Sequence, residues 1–103
     1  AAAIIDYIQR KKPDVVTLAA MGFGSKEKAE EDEQCAWYLR EKLLGNDPDF
    51  ELAKTKILKC KGAERLRRLG SRDDLEFALQ RDLYRIVPVY DPVKGILKPH
   101  QPI

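Results

Sequence analysis

The sequence predicts an α/β chain of the three-layer α/β/α kind, a mostly buried parallel or mixed sheet flanked by helices, as a fragment of a larger fold. Three observations predict it. The run DVVTLAAMG, residues 14–22, is β-rich and apolar on both faces, the pattern of a strand covered on both sides. A glycine turn at Gly22 and Gly24 joins it to a helical stretch, the order of an α/β unit. The chain also opens on AAAIIDYIQRKKPD, which reads as the end of a helix and so as the continuation of something longer.

In that opening helix Ile4, Ile5 and Ile8 share a stripe, Lys11 and Lys12 suit the helix C-terminus, and Pro13 stops it. After the strand and the glycine turn, a helix is expected over about 29–44, with Cys35, Ala36, Leu39 and Leu43 inward and Gly45 closing it. GNDPD reads as a linker. A helix over 50–61 places Phe50, Ala53, Ile57 and Cys60 on one face. GAERLRRLG reads as another, with Ala63, Leu66 and Leu69 inward and Gly70 as its stop. Ser71 or Asp73 caps a further helix that buries Leu75, Ala78 and Leu79. RIVPVYD is a short strand whose Pro88 argues for an edge. A turn around Lys94-Gly95 leads to a second short strand at Ile96-Leu97, and the tail reads as irregular.

With 103 residues the chain forms one small domain or half-domain. Its 44% hydrophobic and 35% charged content is that of a folded chain, not a disordered one. A formal net charge of +2 points to no particular partner. Cys35 and Cys60 lack CxxC spacing, so a reduced, cytoplasmic protein is the simplest expectation. No apolar run reaches the roughly 18 residues of a membrane span, and Asp6 breaks the apolar start that a signal peptide would need.

The chemistry concentrates in GFGSKEKAEEDEQCAWYL, residues 22–39. Four acids, Glu30, Glu31, Asp32 and Glu33, open a helix, where carboxylates gain about 0.3–1 kcal/mol each from its positive end. Glu30 and Glu33 fall to the side and are read as solvated. Glu31 and Asp32 lie one turn from Cys35 and Ala36, along the expected inward stripe. An inward carboxylate needs a cation or donors. The pair also follows the C-terminal end of the expected strand, where α/β sheets bind ligands. Two hard oxygen ligands there suit Mg²⁺. GFGS meets neither the Walker nor the dinucleotide spacing, yet Gly22, Gly24 and Ser25 can offer backbone donors to an anion.

The run Glu31-Asp32-Glu33-Gln34-Cys35-Ala36, followed by Tyr38-Leu39, resembles a segment of the 2-phosphosulfolactate phosphatase family that also follows an apolar strand and a glycine. A second stretch, ERLRRLGSRDDLEFALQRDLYRIVPVY, is similar to that family's C-terminal pattern through Gly70, Asp74, Leu75, Asp82, Val87, Pro88 and Val89. The two stretches span most of residues 14–90. The resemblance implies a three-layer α/β/α fold and the C-terminal part of a Mg²⁺-dependent hydrolase. The implied substrate is (R)-2-phospho-3-sulfolactate, an acidic phosphate ester of coenzyme M biosynthesis, or a related ester. It also implies a partner in the N-terminal half of the same protein, without which this fragment would be inactive. Ala29 stands where the family can carry a serine, and the charged loop FGSKEKAE departs from typical members, which leaves the substrate more open than the metal.

Lys61, Arg65, Arg68 and Arg72 form a basic stripe if one helix runs through Gly62. For a phosphatase, Arg65 or Arg68 would clamp phosphate or sulfonate with its planar fork. Nucleic acid is not the expected partner, because the stripe lacks interleaved aromatics. His100, the single histidine, reads as an exposed tail residue, and no zinc site or hydrolase triad can be assembled. Trp37 and Tyr38 read as core or interface, and a homo-oligomer stays open. The other reading is a non-catalytic interaction module whose acidic cluster only starts a helix.

Overall fold

The computed structural model describes residues 1–22, 24 and 26–100. The chain divides into two compact units, one of residues 1–15 with 81–103 and one of 16–80.

In the first unit, α1 (Ala2–Lys11) ends where expected, on Lys12 in a left-handed conformation whose N–H returns to Ile8 O. β1 (Val87–Asp91) and β2 (Ile96–His100) pair as an antiparallel hairpin, and α1 contacts β1. Pro88 stands opposite Pro99. Neither ring has an N–H, so this pair occupies a non-hydrogen-bonded position of the ladder. The tail expected to be irregular is therefore strand as far as His100, whose ring meets Tyr7 edge-on at 5.0 Å.

Two aspartates tie this unit together. The Asp91 carboxylate accepts the N–H groups of Val93 and Lys94 in the hairpin turn and pairs with Lys98 Nζ at 2.8 Å. Asp82 precedes the hairpin, and its carboxylate accepts the Ala2 N–H at the start of α1, 2.8 Å away. Both carboxyls are held below the ordinary aspartate value of 3.8, Asp91 chiefly by Lys98 and Asp82 chiefly by the Ala2 N–H. A carboxyl depressed on folding binds its proton more readily in the unfolded chain. Its contribution is therefore whole above the ordinary value and is lost as pH falls through the depressed one. The thermal midpoint of this unit should hold from neutrality to about pH 5, the ordinary carboxylate being ionised there, and fall below about pH 4. Asp91→Asn should flatten that fall, and a midpoint that declines equally in the variant would refute the assignment.

In the second unit, α2 (Glu30–Leu43) packs on α3 (Phe50–Leu58) and touches α4 (Lys61–Arg68), and α5 (Arg72–Ala78) follows. Asp49 caps α3 through the Leu52 N–H. Cys60 caps α4, its sulfur accepting the Ala63 N–H at 3.5 Å. The core joins Ala63, Leu75 and Leu79, with Ile57, Leu58, Cys60 and Leu66 packed against them. The helix order matches expectation, but its details shift. Lys61 opens α4 instead of ending the helix before it, and α3 stops at Leu58. Leu69 and Ala78 are exposed, because α4 ends at Arg68 and α5 is brief.

The mixed α/β class stands, whereas the sheet does not match the expected one. Among the described residues the sheet is a two-stranded antiparallel hairpin. Residues 14–22 pair with no strand among the described residues, and Val15 is 80% exposed and Met21 67%. A strand needs a neighbour for its N–H and C=O groups, and β-rich composition alone does not provide one. In α2 the buried residue is Tyr38, edge-on to Phe50 of α3 at 5.6 Å, while Cys35 faces outward.

Candidate functional site

The acidic cluster does open α2. Ala29 offers no side-chain cap, and Glu30, Glu31, Asp32 and Glu33 fill the first turn. Glu30 is exposed and accepts from Gln34 Nε2, as a solvated side position should. Glu33, expected to be as solvated as Glu30, is half-buried like Glu31 and Asp32, so half-burial does not single out the pair. What does is that Glu31 and Asp32 each meet a donor from a different part of the second unit.

Asp32 Oδ2 accepts the Gly22 N–H at 2.8 Å. The bond spans ten residues and fastens the loop before α2 onto the helix start. Gly22 holds a left-handed φ of 81°, and a Cβ there would collide with the Glu27 backbone carbonyl. Its backbone donor thus orients a carboxylate inside the chain. Gly24 is exposed with φ 58° and open space around it; Ser25 lies outside the described residues. Gly22→Ala should destabilise the protein by about 2 kcal/mol, the left-handed strain and the carbonyl clash adding. Its denaturant midpoint measures this, and a midpoint equal to wild type would show that the turn is dispensable.

Glu31 turns instead toward α4. Its Oε2 accepts from the Cys60 thiol at 3.4 Å, and its carboxylate lies against Gly62. The sequence reading gave Cys60 a place on a helix face and Gly62 a place in a helical run, but assigned neither to the site. A signal was there: a lone glycine within a helical run marks close packing or a functional need.

The basic stripe is shorter than the sequence suggested. Lys61, Arg65 and Arg68 share α4, but Gly70, at φ 76°, turns the chain and Arg72 opens α5. Arg65 is exposed, one turn beyond Gly62. Arg68 pairs with Glu64 at 2.8 Å on the surface, a pair of the weak kind that a stronger anion can displace.

Carboxylates are donors of the kind a hard cation takes, but these two bond in different directions, Asp32 to the loop before α2 and Glu31 to α4. Both carboxylates are half-buried, and each is oriented by its own hydrogen bond, as metal-ligating carboxylates commonly are. Mg²⁺ takes one or two carboxylates and fills its shell with waters and phosphate oxygens. No group of three or more His, Cys, Asp and Glu side chains among the described residues could hold a metal ion, so Glu31 and Asp32 would supply only part of a shell. No helix among the described residues is long and apolar enough to cross a membrane.

The sequence model of the family described as 2-phosphosulpholactate phosphatase matches residues 1–92. No curated protein and no solved structure matches the chain.

Proposed function

Because the chain belongs to the 2-phosphosulpholactate phosphatase family, we propose that it serves in Mg²⁺-dependent hydrolysis of a small acidic phosphate ester, (R)-2-phospho-3-sulfolactate or a close relative. The observation that supports the site assignment is the Asp32 carboxylate held by the Gly22 N–H beside a half-buried Glu31.

In this reading Glu31 and Asp32 would hold the cation, each carboxylate having one hydrogen bond within the chain. Bound Mg²⁺ supplies charge neutralisation at the phosphoryl oxygens and a position for the attacking water. The Gly22 N–H keeps Asp32 from rotating toward solvent. Arg65 would meet the sulfonate or phosphate as a planar donor fork. Arg68 would join it by exchanging its surface partner Glu64 for the substrate anion.

A second reading has one observation in its favour: both carboxylates find donors within the chain. They would then only anchor α2, and the domain would be an interaction module. A ligand that binds only the native state stabilises it by RT ln(1 + [L]/Kd), so the phosphatase reading expects Mg²⁺ to raise the thermal midpoint.

The test is phosphate release by the full-length natural protein from 2-phosphosulfolactate and a panel of other phosphate esters, with Mg²⁺ and with a chelator. Release that needs Mg²⁺ and favours the sulfonate ester is expected. Release independent of Mg²⁺ would remove the metal role. No release from any ester, with no Mg²⁺ effect on the thermal midpoint, would leave the interaction module standing.

A further inference from the structure

Charge is spread very unevenly along the chain. Eight of its 19 lysines and arginines fall between Lys54 and Arg72, against a single acid, Glu64. That stretch carries a net +7 in a chain of net +2, so everything else together carries −5. It covers the end of α3, all of α4 and the turn into α5. On α3, Leu52, Lys56 and Lys59 follow one another at helical spacing, and all three are exposed. On α4, Lys61, Arg65 and Arg68 do the same. Leu69 follows one turn after Arg65 and is 67% exposed; Leu52 is 50% exposed. Arg67 Nη2 donates to Leu58 O at 2.6 Å and so clasps α4 to the end of α3. The two basic stripes thus belong to adjoining, fastened helices, and each carries an exposed leucine.

We propose that α3 and α4 form a docking surface for an acidic segment of a partner protein, one that carries apolar side chains among its carboxylates. Charge complementarity selects the acid, since arginine forks and lysine ammonium groups each match a carboxylate. The leucines select the class of partner. A nucleic-acid backbone would engage the cations but leave Leu52 and Leu69 in water. Residues 54–72 also hold no aromatic ring on which a base could stack. An anionic membrane would need the apolar face of a helix. Here those faces are turned into the core, through Ile57 and Leu58 of α3 and Ala63 and Leu66 of α4. A protein segment meets both demands, with apolar contact at the centre and charge pairs at the rim. Arg68 would exchange its surface partner Glu64 for a carboxylate of the segment. Arg65 and Arg68 also form the proposed substrate clamp, so the dock is tested through other residues and does not depend on the phosphatase reading.

The experiment sets the full-length natural protein against four probes at low salt. A labelled peptide of repeated Glu-Glu-Leu, polyglutamate of equal charge and a duplex DNA are followed by fluorescence anisotropy, and phosphatidylserine vesicles by co-sedimentation. The leucine-bearing peptide should bind most tightly and lose affinity as salt rises. Lys56→Glu with Lys59→Glu should weaken it by about tenfold, two exposed attractions being turned into repulsions. Leu69→Ser should weaken it by about fivefold and leave polyglutamate binding unchanged, since only an apolar partner loses a contact. Leu52→Ser repeats that test on α3. All four positions are exposed, so the thermal midpoint of each variant should match wild type. Tighter binding of duplex DNA or of the vesicles would overturn the proposal in favour of that partner. Polyglutamate bound as tightly as the peptide, with both serine variants without effect, would remove the leucines and with them the partner proposed. If no probe binds at low salt, the surface is merely solvated and there is no dock.

Discussion

Asp32→Asn is expected to cut Mg²⁺-dependent phosphate release by about a hundredfold, or roughly 2.7 kcal/mol of barrier, while leaving the thermal midpoint nearly unchanged. The amide keeps an oxygen in place to accept the Gly22 N–H, so the loop before α2 stays fastened. What it loses is the negative charge that a hard cation seeks. Asp32→Ala removes both the charge and the acceptor. It should show the same kinetic loss and about 1 kcal/mol of lost stability besides, the net worth of an ordinary hydrogen bond. The two variants therefore separate a ligand from an anchor. If Asp32→Asn turns over like wild type while Asp32→Ala is merely less stable, the carboxylate serves the loop and has no part in catalysis.

The sequence shows where α2 starts because charge and period agree there. Four acids at the positive end of a helix and a 3.6-residue pattern behind them leave little else for residues 30–43 to become. Which face turns inward is less legible, since Cys35 and Tyr38 lie three residues apart on neighbouring faces. Tyr38 is buried because Phe50 of α3 offers it an aromatic partner, a contact that depends on tertiary packing. The segment 14–22 fails for the opposite reason. Its composition states that it is apolar, but a strand is defined by its neighbour, and the one strand pair among the described residues is the hairpin. At the site, the inward aim of Asp32 follows from spacing on the helix. Its donor does not, because the Gly22 N–H arrives through the closure of a ten-residue loop. Gly62 was visible as a glycine, but helix punctuation and close approach look alike until α2 is laid against α4.

Leu75→Ala should be the most damaging single change to the second unit, at about 3 kcal/mol within the 2–5 kcal/mol range of buried leucine truncations. Leu75 is 5% exposed and shares the core with Ala63 and Leu79. Ala63 has no side-chain reach with which to fill the space, and Leu79 sits one turn further on, so the cavity can collapse only if α4 and α5 draw together. Against a typical total of about 5–15 kcal/mol the loss is large, and the denaturant midpoint should show it plainly. Leu69→Ala is the control: Leu69 is 67% exposed, and its truncation should stay within about 0.5 kcal/mol.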